Sequence, residues 1–117
     1  MKCYCLAATL EGHDGPINTF SINTNGNLLA SGGDDQEVRL WDIQAFRQYQ
    51  ILSDQGGTWG QITCIKFLGI EPSAAAEWFC FGTWHGHLLL YRRQRKTVST
   101  LLHSSFVQLK MLLDKLR

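Results

Sequence analysis

The sequence predicts an all-β chain built from two successive four-stranded antiparallel units. Three observations predict it. Apolar and polar residues alternate with a period of two through most of the first 91 residues. Clusters of turn-forming residues interrupt that alternation at short intervals. The order of strands and turns in residues 12–41 then returns over residues 57–91. The bulk composition agrees: of 117 residues, 44% are hydrophobic and 18% charged, the balance of a globular chain and not a disordered one.

The elements follow in order. Tyr4 to Thr9 reads as a lone strand ahead of the first unit. Ile17 to Ile22 is the first strand of that unit, and Asn23-Thr24-Asn25-Gly26-Asn27 is a strong turn cluster. Leu28 to Ser31 is the second strand, Gly32 to Gln36 a turn, Val38 to Ile43 the third strand, and Phe46 to Leu52 the fourth. No helical pattern separates them, so the unit is a meander and not a βαβ repeat. Gly57 to Phe67 then aligns with Gly12 to Ile22 at an offset of 45, and Trp78 to Tyr91 aligns with Leu28 to Trp41 at an offset of 50. The five additional residues fall within Leu68 to Glu77, because a hairpin loop tolerates added length at little cost. Val98 to Leu102 is the candidate fourth strand of the second unit.

Leu10-Glu11-Gly12-His13, then Ala30-Ser31-Gly32-Gly33-Asp34-Asp35, then Leu40-Trp41-Asp42 stand at one characteristic spacing. This set resembles a WD40 repeat. The second unit is degenerate but follows directly in the same hydrophobic register, so the resemblance covers about residues 10–96. It implies a partial WD40 β-propeller: blade one at about 10–52, blade two at about 56–102, and an orphan N-terminal strand. A partial propeller domain then occupies residues 1–103, followed by a basic amphipathic segment at 104–117.

The resemblance also implies a structural tetrad of His13, Ser31, Asp35 and Trp41, in which the Trp41 indole meets Ser31, Ser31 meets His13, and Asp35 accepts from His13. The chemistry is compatible: an indole only donates, a hydroxyl does both, and a neutral imidazole does each once. His13, Ser31 and Asp35 could also be read as a hydrolase triad, but no nucleophile elbow or oxyanion motif accompanies them. In blade two, Thr58, Phe81, His85 and Tyr91 occupy the four positions. Phe81 cannot relay a hydrogen bond, so this blade is expected to rest on apolar packing by Trp78, Phe79, Phe81, Leu88, Leu90 and Tyr91.

Length sets a further constraint. At roughly 40–45 residues per blade, seven blades need about 300 residues and four need about 160. Two blades expose two apolar flanks, and at least three repeats are usually required for stability. The expectation is that the missing blades belong to a longer propeller, or that copies associate, three of them supplying six blades.

The net charge is +1, yet residues 1–91 hold 4 basic and 9 acidic residues while residues 92–117 hold 7 and 1. For 104–117, Ser105 with Gln108 fits a capping box, and Phe106, Leu109, Leu113 and Leu116 fall at helical spacing. Val107, Leu109 and Met111 could instead alternate as a strand; the expectation chosen is a short helix. No apolar run is long enough for a membrane span, and the first residues lack a secretory core. A cytoplasmic or nuclear place is expected, with the four cysteines free.

Propellers of this family bind partners through the loops entering the inner strands and the turns after the second strands. The matching positions are Pro16, Asn18 and Asp34 in blade one, and Gln61, Thr63 and Trp84 in blade two. Trp84 is either an exposed hot-spot anchor or a filler between blades. Arg92, Arg93, Arg95 and Lys96 form the strongest charge run, read as a solvated connection or, alternatively, as a nucleic-acid contact. Cys3-x-Cys5 and His85-x-His87 lack the usual zinc spacing, so no metal and no cofactor are expected. Cys64 and Cys80 read as small core residues. The expected function is a non-catalytic WD40 scaffold or adaptor binding proteins or peptides through the top face. Trp41→Ala should destabilise the chain by about 3–5 kcal/mol, measured by thermal or denaturant melting.

Overall fold

The computed structural model describes residues 2–70 and 76–94. The expected strand at 98–102, the helix at 104–117, and Arg95 and Lys96 lie outside the described residues. Seven strands are described: β1 Ile17–Ile22, β2 Leu28–Gly33, β3 Glu37–Asp42, β4 Arg47–Ser53, β5 Ile62–Ile70, β6 Ala76–Thr83 and β7 Leu88–Gln94. They form a four-stranded sheet, β1-β2-β3-β4, and a three-stranded sheet, β5-β6-β7, with every pairing antiparallel. No helix occurs among the described residues.

The repeat extends to fine geometry. A bulge breaks the β1–β2 register between Ile17 and Thr19, and another breaks β5–β6 between Ile62 and Cys64, 45 residues on. Gln36 N–H donates to Gly33 O at 3.3 Å, and Gly86 N–H to Thr83 O at 3.1 Å, 50 residues on. Both Gln36 and Gly86 are left-handed, with φ of 66° and 89°. Glycine takes that conformation freely, while Gln36 carries its steric cost.

Each sheet has two unlike faces, because side chains alternate along a strand. Leu28, Ala30, Val38 and Leu40 share one face of the first sheet and are buried. They pack against Ile62, Ile65, Phe79 and Phe81 of the second, with Leu52, Phe67, Leu89 and Tyr91 at the margin. Three polar contacts from β1 line this seam. Thr19 Oγ1 accepts from Ile65 N–H at 3.0 Å, Ser21 Oγ accepts from Phe67 N–H at 3.2 Å, and Asn18 Nδ2 donates to Ile62 O at 3.1 Å. At the far end, the Asn23 side-chain amide donates to both buried Glu77 carboxylate oxygens at 3.3 Å. Arg93 Nη1 stands 3.9 Å from Glu77 Oε1, and its guanidinium lies 5.5 Å from the Tyr49 ring centroid. Such partners offset part of the hydration that a carboxylate loses on burial.

Several expectations are corrected. Tyr4 to Thr9 is exposed along most of its length and forms no strand, because no described strand lies beside it to make a ladder. β4 begins at Arg47, since Phe46 turns with a φ of 55°. The additional length between the second blade's strands extends the β5–β6 ladder as far as Ile70 opposite Glu77. Cys64 is exposed and Cys80 half-buried, and Leu88 is exposed. All three sit on the face of the second sheet turned away from the seam. Burial, together with the neighbouring Cys64, pushes the Cys80 thiol up despite the opposing charge of Lys66.

Gly32 marks the closest approach of the two sheets. A Cβ there would lie 2.7 Å from Ile62 Cβ and 3.1 Å from Ile65 Cδ1. Gly32→Ala should therefore force the sheets apart and cost about 1–3 kcal/mol, read as a lowered melting temperature.

Candidate functional site

The first blade has a polar chain through its centre. Trp41 Nε1–H donates to Ser31 Oγ at 2.8 Å, His13 Nε2 lies 2.7 Å from Ser31 Oγ, and His13 Nδ1 lies 2.8 Å from Asp35 Oδ2. The carboxylate can only accept, so Nδ1 carries the proton; in the neutral ring Nε2 then accepts from the Ser31 hydroxyl. Only 3% of the His13 side chain and 6% of that of Asp35 are exposed. Asp35 further accepts from the backbone N–H groups of Asp14 (3.1 Å) and Glu37 (3.3 Å). Burial raises the Asp35 carboxyl, but the hydrogen bonds from His13, Asp14 and Glu37 and the charge of His13 together bring it below the ordinary carboxylate range. Ser31 Oγ, buried and shared between Trp41 and His13, is not presented to a substrate.

Blade two has Phe81 and Tyr91 at two of the same positions, and they join a cluster of rings. Phe81 and Tyr91 stack at 5.6 Å, Phe79 stacks on Tyr91 at 5.6 Å, and Trp59 meets Phe81 edge-on at 5.1 Å. Thr58 bonds locally instead of joining a chain: its N–H and hydroxyl both donate to Asp54, which also accepts from Gly56 N–H. The contacts from Thr58 and from Gly56 lower the exposed Asp54 carboxyl. Trp59 and Asp54 had no place in the sequence reading. Asp54-Gln55-Gly56-Gly57-Thr58 carries the signal of an Asx turn, whereas Trp59 is buried only through contacts distant in sequence.

The six positions expected to bind partners gather at one end of the two sheets. Asp34 N–H donates to Pro16 O at 3.0 Å, and the equivalent Trp84 N–H donates to Gln61 O at 2.8 Å. Asn18 Nδ2 donates to Asp34 Oδ1 at 2.8 Å as well as to Ile62 O, tying the two blades together at this end. Pro16, Asn18, Asp34, Gln61, Thr63 and Trp84 are all exposed. Trp84, at 70% exposure, stands clear of the space between blades.

The basic run is placed in part. Arg92 lies over Trp78 at 5.7 Å, and Arg93 is held between Glu77 and Tyr49. Both cations therefore have intramolecular partners. Among the described residues, no three His, Cys, Asp or Glu side chains gather into a metal-holding group, and no helix is long and apolar enough to cross a membrane.

Antiparallel sheets stacked face to face and repeating at 45–50 residues, the first braced by a His-Ser-Trp-Asp hydrogen-bond chain, define a propeller-type repeat chain. Residues 4–42 match the family described as WD domain, G-beta repeat, and the chain is a WD40-repeat chain. It is 47% identical over 93 residues to the small ribosomal subunit protein RACK1 of Brassica napus, covering 80% of this chain and 25% of that protein. It is 33% identical over 86 residues to Protein ALTERED SEED GERMINATION 2 of Arabidopsis thaliana, covering 74% of this chain and 11% of that protein. Against the Periodic tryptophan protein 2 homolog of Schizosaccharomyces pombe the identity is 55% over 38 residues, 32% of this chain and 4% of that protein. The chain thus spans a quarter or less of the length of these relatives.

The Asp35 contacts have a pH signature. A carboxyl lowered in the folded state contributes stability that is fully present above its unfolded value of about 3.9 and is lost as pH falls through the folded value. The wild type should lose that contribution below about pH 4, whereas Asp35→Asn should lack it at all pH values. Denaturant midpoints from pH 7 to pH 2 should show the gap between the two narrowing in acid.

Proposed function

We propose that the chain is a non-catalytic WD40 scaffold that binds proteins or peptides through the end carrying Pro16, Asn18, Asp34, Gln61, Thr63 and Trp84. The observation that carries this reading is Trp84. A large indole exposed to 70% beside a tight turn contributes little to its own fold and offers apolar area with few torsions to immobilise. Its backbone is fixed by Gln61, so the ring is presented from a rigid element. Around it, Asn18, Asp34 and Gln61 supply polar groups for a hydrogen-bonding rim. The His13-Ser31-Asp35-Trp41 chain serves as the internal brace of blade one, and catalysis has no part in the proposal.

The relatives support a role in assembly. They include proteins named as small ribosomal subunit and ribosome biogenesis components. A cytoplasmic or nuclear scaffold for a larger assembly accords with those names. A nucleic-acid role for Arg92, Arg93, Arg95 and Lys96 is less well supported, because Arg92 and Arg93 already face Trp78, Glu77 and Tyr49.

Affinity capture from cell extract, with bound proteins identified, should lose its specific partners on Trp84→Ala. Neutralising the four basic residues should leave them bound. Stability should change by no more than about 0.5 kcal/mol for Trp84→Ala. Loss confined to the charge variant, with strong salt dependence, would favour the nucleic-acid reading.

A further inference from the structure

Charge is segregated along the strands of the two sheets. The end that carries Trp84 is built from residues 13–16, 34–36, 54–61 and 84–87. These four segments contain Asp14, Asp34, Asp35 and Asp54 and no lysine or arginine. The cations of the sheets lie elsewhere. Arg39 is bonded within its blade to Glu37 and Gln48. Lys66 stands midway along β5, opposite Cys80. Arg47, Arg92 and Arg93 stand opposite Asp42, Trp78 and Glu77 at the far end.

Two of the four carboxylates are committed within the fold, Asp35 to His13 and Asp54 to Thr58 and Gly56. The other two, Asp14 and Asp34, are exposed. Among the described residues the Asp14 carboxylate has no partner, that of Asp34 accepts only from Asn18 Nδ2, and no cation faces either. The two lie close together: a Cβ on Gly15 would stand 3.8 Å from Asp34 Cβ. A short path joins them to Trp84. Asn18 Nδ2 bonds both Asp34 Oδ1 and Ile62 O, and the carbonyl of the adjoining Gln61 accepts from Trp84 N–H. His85 N–H on Trp59 O, at 3.2 Å, clamps the Trp84 turn a second time. Exposure at this position belongs to the repeat itself. Asp34, the equivalent of Trp84 50 residues earlier, is exposed although blade two lies against blade one.

Resting on the partner-binding reading of this end, we propose that the segment received there is a basic peptide, with one arginine or lysine against the Trp84 ring and its neighbouring positive charge facing Asp14 and Asp34. An indole face attracts a cation, most often an arginine. Two carboxylates without a counter-charge favour the same sign and steer its approach. An extended chain advances about 3.3–3.6 Å per residue, so a few residues bridge the ring and the carboxylates. An acidic segment would meet like charge here. A wholly apolar one would lay an uncharged surface over two carboxylates and strip them of water without replacing it.

The test selects binders to the full chain from a displayed library of random short peptides. The enriched peptides are then measured by fluorescence anisotropy against wild type, Trp84→Ala, and Asp14→Asn combined with Asp34→Asn. An asparagine at position 34 keeps an oxygen for Asn18, and melting curves close to wild type verify that each variant folds. Enriched peptides should carry arginine or lysine, and added salt should weaken them. Their affinity should fall at least about tenfold on Trp84→Ala and about threefold or more in the asparagine variant. Peptides that need Trp84 but are neutral or acidic, or that bind the asparagine variant as tightly as wild type, would overturn the basic-peptide assignment and leave partner binding at this end standing. Absence of any Trp84-dependent peptide would overturn both.

Discussion

The seam between the two sheets is the constraint on which the other features depend. Leu28, Ala30, Val38 and Leu40 leave water only because Ile62, Ile65, Phe79 and Phe81 are laid over them. Burying a large apolar side chain contributes about 1.5–3 kcal/mol, so no isolated blade offers comparable stabilisation. The close approach requires Gly32 to have no side chain where Ile62 seats. It also brings β1 near enough for Thr19 and Ser21 to satisfy N–H groups of β5 that face away from their own sheet. The positions of Asn18, Asp34, Gln61 and Trp84 at one end are a consequence of that registration.

Within this frame the two blades solve one problem by different chemistry. Four polar groups at the centre of blade one must all find partners, and Trp41, Ser31, His13 and Asp35 do so in a single chain. At two of the corresponding places blade two sets Phe81 and Tyr91, which stack with each other and with Phe79 while Trp59 meets Phe81 edge-on. A satisfied hydrogen-bond chain adds direction and fixes a tautomer. A ring stack gains area and tolerates small displacements. Glu77, buried opposite Asn23, is a second directional contact and sets the two sheets' relation at the end away from Trp84.

The proposed function rests on what the seam leaves exposed. At one end the turns present Trp84 and a polar rim, the surface to which that proposal assigns partner binding. Along the flanks, among the described residues, Phe20 and Leu88 are exposed on unlike faces of the two sheets. These surfaces lie in different directions, so occupation of one does not preclude occupation of the other.

The strand order, the repeat offsets and the tetrad residues were legible in the sequence, because they depend on local alternation, turn chemistry and a motif with fixed spacing. The resemblance to a WD40 repeat implied that Ser31 meets both His13 and Trp41. What only the tertiary structure decided was which face each residue shared with a neighbour. Alternation predicts two faces but does not say which one meets the other sheet, so Cys64, Cys80 and Leu88 were expected inside and lie on the face turned away from the seam. Arg93 read as free charge until Glu77 and Tyr49 converged on it from 16 and 44 positions away. Trp59 carried no periodic signal, since its burial comes from β6 folding over it. Long-range burial depends on how two sheets meet, and a one-dimensional pattern does not encode that meeting.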